Sequence, residues 1–475
     1  MPALRSLLVG LASLAVGTAT APMVGGYVFL AGADGLAKLQ ALAAAAAAPP
    51  SIPITRLFLA FASPTLVYVS GSRTLNGTGL EMAAGGDAGF AAAAAAIATL
   101  KQAGVTTFVS MGGWDGNCFP YAYARYSVAG YGPNTPNYWK VEQYCGGDIN
   151  NASPANEYCF VCEPASANES LGMFNMFPEP AYSPTWQAAV AYVTATAGGA
   201  HAPVWDPTLI NGLPWTDPAT GITTLVPGSH APYALQRDPY ADVVQLALEL
   251  GAGGVDLDYE EMWHADMYKY GSGPYTLEQT VYKWSAIAKD LQLNIAAHAP
   301  GLMLSTAAGA VSAWNGNWWG GNLKGLMSSA AEWYPALVSF IASTGGVDVM
   351  SYDLSDNEAH YECPDPSICS LHDQVEFYMA QYQLAGIDAN VGYETGTPAY
   401  PDPVEDAAHQ LPLTLAELST IINVTQSKYK GAIIWELFKL PAKAGEASAT
   451  DVARAVCRTV LPGDARCAGT LPPTP

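Results

Sequence analysis

Three acidic side chains alternate in the segment Gly253-Gly254-Val255-Asp256-Leu257-Asp258-Tyr259-Glu260. In an extended strand every second side chain shares a face, so Asp256, Asp258 and Glu260 line one side and Val255, Leu257 and Tyr259 the other. Burying three carboxyls together costs several kcal/mol per ion when nothing compensates, so folding gains nothing from the arrangement. Chemistry does gain. Neighbouring carboxyls push their proton affinities apart, and the outermost one is kept protonated near neutral pH. Glu260, at the C-terminal end of the strand, is then placed to protonate a leaving group, with Asp258 and Asp256 beneath it. Two rival readings carry less weight. An exposed acidic edge strand does not suit an apolar neighbourhood, and a divalent-cation site would call for further acidic ligands that the nearby sequence does not offer.

The acids need a scaffold, and the chain supplies one. Short apolar segments recur at Met23–Phe29, Arg56–Ala62, Thr106–Met111, Gly254–Tyr259, Leu293–His298, Val347–Tyr352, Ala389–Glu394 and Gly431–Glu436. Helix-sized stretches separate them, which predicts an α/β fold, a (β/α)8 TIM barrel. Predicted helices include Asp87–Gln102, which stops before Gly104, and one opened by Asp238 and Pro239 that runs to Leu250. Thr276–Leu291 and Leu371–Leu384 carry amphipathic periods. The connection after the third strand is unusually long, about residues 114–235, and holds Cys118, Cys145, Cys159 and Cys162. In such a barrel it belongs at the C-terminal face, as a disulfide-pinned wall or lid, or as a small accessory unit.

The whole chain narrows the function. It has 475 residues, 50% of them hydrophobic, and a formal net charge of −22. That charge repels phosphate backbones and anionic membranes, so nucleic acid is not an expected partner, whereas a neutral polysaccharide is. Residues 1–21 read as a secretory signal, with Arg5, an apolar core from Leu7 to Val16, and Ala19-Thr20-Ala21 before the cut. Eight cysteines and the sequons at Asn76, Asn151, Asn168 and Asn423 agree with export, disulfide bonds and glycosylation. Cys363 with Cys369 and Cys457 with Cys467 are close enough for small loops; the other four allow three pairings, and the Cys159–Cys162 spacing alone could also suit redox or zinc chemistry. After signal removal we expect residues 22–445 to form the catalytic domain, and residues 446–475 a helix, a disulfide loop and a disordered Pro-rich tail. No stable membrane insertion, metal or cofactor is expected, and the working unit is expected to be a monomer.

With these segments in order, the chain resembles glycoside hydrolase family 18, the chitinase family. Its acidic strand is similar to the pattern D-G-x-D-x-D-x-E, with Gly253 in place of the first Asp. Val24-Gly25-Gly26-Tyr27 and Leu59-Ala60-Phe61 look like the family's first two strands, and Ser110-Met111-Gly112-Gly113 like its third. Met350-Ser351-Tyr352-Asp353 matches the sixth, and Trp435 stands where an eighth-strand Trp belongs. The resemblance covers roughly residues 23–440 apart from the insertion. It implies a secreted enzyme cleaving β-1,4-linked N-acetylglucosamine polymers by substrate-assisted retention. Glu260 would be the acid and base, Asp258 the group that orients the substrate acetamide, and Asp256 its support. Tyr352 would donate to the acetamide oxygen, beside Asp353, and Trp435 would floor the sugar ring. Met350, Gly112, Gly113, Trp114, Tyr27 and Phe61 complete the implied binding site, although the glycines also suit tight strand-end packing. The Gly253 departure bears on the tuning of the acids more than on the reaction. Trp314, Trp318 and Trp319 are candidate sugar platforms, Trp263 and Tyr393 weaker ones, His298 a wall residue, and Glu394 a cleft residue or ion-pair partner. The other readings of the same residues are an endo-β-N-acetylglucosaminidase on N-glycans and a non-catalytic chitinase-like lectin.

Overall fold

The computed structural model describes residues 22–64, 66, 68–82, 86–113, 119, 213–216, 223–226, 239–260, 277–314, 325–354, 363–365, 367–396, 414–425, 428–429, 431–441 and 445–475. Eight parallel strands close into a barrel: β1 (Met23–Phe29), β2 (Arg56–Ala62), β3 (Thr106–Gly112), β6 (Gly254–Asp258), β7 (Met303–Gly309), β8 (Gly346–Met350), β9 (Ala389–Glu394) and β10 (Gly431–Trp435), with β10 pairing back onto β1. Between β3 and β6 lies a separate antiparallel pair, β4 (Leu213–Thr216) and β5 (Thr223–Val226). Because β3 and β6 are direct neighbours, the intervening stretch is one long connection after the third barrel strand. The predicted signal segment, Trp114 and the four cysteines of this connection lie outside the described residues.

Helices fill the crossovers that parallel strands require. They are α1 (Gly35–Ala47), α2 (Gly86–Gln102), α3 (Pro239–Leu250), α4 (Leu277–His298), α5 (Leu326–Trp333), α6 (Pro335–Thr344), α7 (Leu371–Leu384), α8 (Leu415–Thr425) and α9 (Ala449–Val460). Strand alternation divides the apolar side chains into two cores. Val24, Leu57, Val109, Val255, Leu257, Val349, Val391 and Ile434 face outward into the shell shared with the helices. Tyr27, Phe58, Ala60, Phe108 and Ile433 face inward and fill one half of the barrel. The other half of the interior is polar.

One predicted strand was misplaced. Leu293–His298 is the last part of α4, and the fifth barrel strand is β7. Leu291 and Ile295 are buried while Leu293 is exposed, so the burial period is helical. His298 therefore sits exposed at a helix end and lines no wall. The tail is also ordered by contact: Leu471 is buried, its N–H donates to Thr450 Oγ1 at 3.1 Å, and Thr474 Oγ1 donates to Phe438 O at 3.4 Å. Disulfides join Cys363 to Cys369 and Cys457 to Cys467, with Cα–Cα distances of 4.7 and 5.3 Å. The second ties α9, which starts with a Ser448–Asp451 capping box, to the turn that follows it.

Candidate active site

Parallel register places β6 between β3 and β7, so that Asp256 faces Ser110 on one side and Ser305 on the other. All three side chains are fully buried. Ser110 Oγ donates to Asp256 Oδ2 at 2.7 Å, Ser305 Oγ to Oδ1 at 2.8 Å, and Tyr27 OH to Oδ2 at 3.0 Å. Burial still raises the Asp256 carboxyl above its ordinary range; the three hydroxyls and the nearby Arg56 charge hold it back. One layer up, Asp258 pairs in register with Gly112 and Ala307. Its carboxyl is pushed well above the usual range, first by burial, then by the charges of Glu260 and Asp256 and by a hydrogen bond shared with Glu260. Two acids sharing a proton titrate as a pair, one carboxylate and one carboxylic acid. Asp258 Oδ1 is buried and has no hydrogen-bond partner among the described residues. Glu260, two residues beyond the end of β6, is half-buried.

Gly112 and Gly113 give the chain room to turn beside this pair. Gly112 has φ +112°, and a methyl group there would lie 2.1 Å from Asp258 O. Gly113 has φ +74°, donates its N–H to Asp258 O at 3.0 Å, and would drive a methyl group to 2.6 Å from the Phe61 ring. Both backbone shapes are strained for any side chain but hydrogen. Phe61 in turn lies on Trp435, ring centroids 5.7 Å apart and 25° from parallel, and Tyr27 meets Trp435 edge-on at 5.7 Å. A flat apolar floor thus adjoins the acids at the C-terminal mouth of the barrel, where barrel active sites form.

The third wall comes from β8 and β9. Met350 ends β8, half-buried, and Tyr352 follows two residues later, against the bare face of Gly392. The Tyr352 phenol is raised well above its ordinary value by burial and then by Asp258, Glu394, Glu260 and Asp353, so all four acids converge on it. Asp353 adopts φ +55°, an uncommon conformation for a side-chain-bearing residue. Glu394, at the end of β9, is ion-paired with Lys439 at 2.5 Å and is pushed well up, first by burial and then by Asp353.

Of the expected site residues, the described structure gathers Tyr27, Phe61, Gly112, Gly113, Asp256, Asp258, Glu260, Met350, Tyr352, Asp353 and Trp435 at one end of one barrel. Trp114, Trp263, Trp318 and Trp319 lie outside the described residues. Trp314 is half-buried and packs edge-on against Phe377 and Tyr378 of α7 at 5.7 and 5.9 Å. Tyr393 is a buried residue of the outer core. Gly253 lies at the base of β6, away from the mouth, and a methyl group there would meet Thr106 Cγ2 at 2.4 Å. An acid at that position would require the Thr106 side chain to shift.

Sequence reasoning missed the groups at the bottom of the polar half: Arg56 of β2, Ser305 of β7, Asp348 of β8 and Asn390 of β9. The only signal for each was its inward parity once neighbouring strands were in register. His372, Asp373 and Glu376 bring their ligand atoms within 4.8 Å on the outer surface. Asp373 there is engaged in capping α7 through Ser370.

Fold and site together define a (β/α)8 barrel with coupled acids and an aromatic floor at its C-terminal mouth. No family model matches the chain, and no curated protein matches it. Solved structures similar to it are chitinases by description. One is a GH18 chitinase from Pseudoalteromonas aurantia, 12% identical, matched over 92% of this chain and 99% of that one at a TM-score of 0.42. A Group IV chitinase from Ostrinia furnacalis in complex with allosamidin is 12% identical, over 94% and 100% of the two chains, at a TM-score of 0.42. A chitinase from Bacillus thuringiensis is 10% identical, over 94% and 70%, at a TM-score of 0.43.

Proposed function

We propose that the chain is a secreted glycoside hydrolase that cleaves β-1,4-linked N-acetylglucosamine polymers, chitin or chitooligosaccharides, by substrate-assisted retaining catalysis. The observation that carries this reading is the coupled Asp258–Glu260 pair, with one buried acceptor of Asp258 left open beside an aromatic floor. A sugar resting on Trp435 and Phe61 would present its acetamide to the pair. Asp258 Oδ1 accepts the acetamide N–H, and Tyr352 OH donates to the acetamide oxygen. That oxygen attacks the anomeric carbon while Glu260 gives its proton to the departing glycosidic oxygen. The oxazolinium so formed carries positive charge, which the Asp258 carboxylate balances and Asp256 supports from below. Glu260, now a carboxylate, removes a proton from water as the water opens the ring, and the starting configuration returns. Asp353, Met350, Gly112 and Gly113 shape the pocket, and the negative surface charge suits a neutral glycan.

The test is hydrolysis of defined N-acetylglucosamine oligomers by the wild type and by Glu260→Gln. Loss of general acid catalysis lowers turnover by at least about 100- to 10,000-fold with the far-UV spectrum unchanged, and the first product of the wild type is the β-anomer. Full activity of Glu260→Gln, or an α-anomer first, sinks the mechanism. Glycan release from a high-mannose glycoprotein without chitin cleavage would move the substrate to N-glycans; oligomer binding without any product would make the protein a lectin.

A further inference from the structure

Below the acid pair, the polar half of the barrel holds one cation and two acids that the proposed reaction does not touch directly. Arg56 reaches in from β2, lies on the Phe108 ring at 4.6 Å and donates to Gly345 O. Asp348 of β8 is completely buried, accepts from Asn390 Nδ2 at 2.7 Å through Oδ1, and its Oδ2 has no hydrogen-bond partner among the described residues. A methyl group placed on Gly346 would lie 2.8 Å from Asn390 Nδ2 and 3.6 Å from both Arg56 Nη1 and Asp348 Oδ1, so the three groups surround one point. Asp256 is the second acid within reach of Arg56. The charged and titratable groups around Asp348 are therefore Arg56 from β2, Asp256 and Asp258 from β6, and Tyr27 from β1.

A buried cation balances one anion, and the hydrogen bonds decide which acid takes that role. Asp256 receives three hydroxyls and Asp348 a single amide, so Asp256 is the better-solvated anion. We propose that Asp348 is a positioning residue for the reaction above, supplying from β8 a fourth carboxyl, which β6 lacks at Gly253, and setting the proton affinity of the Asp258–Glu260 pair. The inference rests on the proposed hydrolase reading. The sign follows from electrostatics. When Asp348 ionises, its negative charge opposes ionisation of Asp258 and its partner, so the pair keeps its proton to higher pH. The Asp348 carboxyl is pushed up to about 7, by burial and by Asp256 against the pull of Arg56, so the change falls where a neutral-pH enzyme would use it.

Asp348→Asn keeps the shape and removes the charge. The alkaline limb of kcat/KM on an N-acetylglucosamine oligomer should then move to lower pH by about one unit. KM at the plateau should stay within about twofold, since Asp348 touches no substrate. A lowered melting temperature with the limb unmoved would make Asp348 merely structural and overturn the proposal. Infrared difference titration provides a readout that needs neither turnover nor the variant's folding. In wild type and in Glu260→Gln alike, one buried carboxyl should titrate near neutrality, and its absence from both overturns the proposal. Persistence of that band in a protein with no hydrolytic activity would leave the acid network standing while the hydrolase reading fails.

Discussion

Removing the Ser305 hydroxyl gives the sharpest view of how Asp256 is held. Ser305→Ala is nearly isosteric, so it opens no cavity; it deletes one donor, 2.8 Å from Asp256 Oδ1, in a place that water does not reach. A hydrogen bond to a charged acceptor contributes about 2 kcal/mol, and one between neutral groups about 1 kcal/mol. The neighbouring residue is the internal control. Thr306 Oγ1, equally buried, donates to the neutral carbonyl of Leu257 at 2.8 Å. The Asp256 pKa is raised in the folded protein, and the Ser305 hydroxyl favours its anion, so the stabilisation is present above that pKa and lost as pH falls through it. Urea unfolding should thus give Ser305→Ala a cost of about 2 kcal/mol at about pH 8 and about 1 kcal/mol or less at about pH 4. Thr306→Val should cost about 1 kcal/mol at both. If the two variants share the same pH-independent cost, Asp256 is not the ionised centre of a hydroxyl cage, and the account of the acid stack is wrong.

Lys439→Met should leave the Glu394 charge buried without its counter-ion and lower the unfolding free energy by about 3 kcal/mol at alkaline pH. Because the Glu394 pKa is already raised, that cost should shrink as acid protonates it, and a penalty that stays constant with pH would argue against the pair. Gly113→Ala should force the Phe61 ring away from its 2.6 Å approach and strain the backbone at φ +74°, at about 2 kcal/mol. It should also raise KM for oligosaccharides through the displaced floor. Unchanged stability would mean that Phe61 is not fixed by this contact.

Seven of the eight barrel strands were legible because each is a short apolar run separated from the next by a helix-sized stretch. β7 was not, because Met303-Leu304-Ser305-Thr306-Ala307-Ala308-Gly309 is small and polar enough to read as a loop. The end of α4 took its place since Leu293, Ile295 and Ala297 alternate by chance, although only tertiary burial reveals the helical face. The acidic stack was readable from parity along one strand. Its supports were not, because Arg56, Ser305, Asp348 and Asn390 are adjacent only through register between strands distant in sequence. Trp314, which its Gly and Asn neighbours suggest is exposed, is half-buried against α7.

The aromatic half of the barrel joins the floor of the site to the opposite end of the barrel. Arg56 lies on Phe108, Phe108 meets Phe58 at 5.5 Å, Phe58 stacks on Tyr27 at 4.4 Å, and Tyr27 touches both Trp435 and Phe61. Rings in van der Waals succession cannot be compressed independently. The height of the aromatic floor is thus tied to the thickness of a column that begins at a guanidinium, and a change at Trp435 is felt through Tyr27 and Phe58 as far down as Phe108.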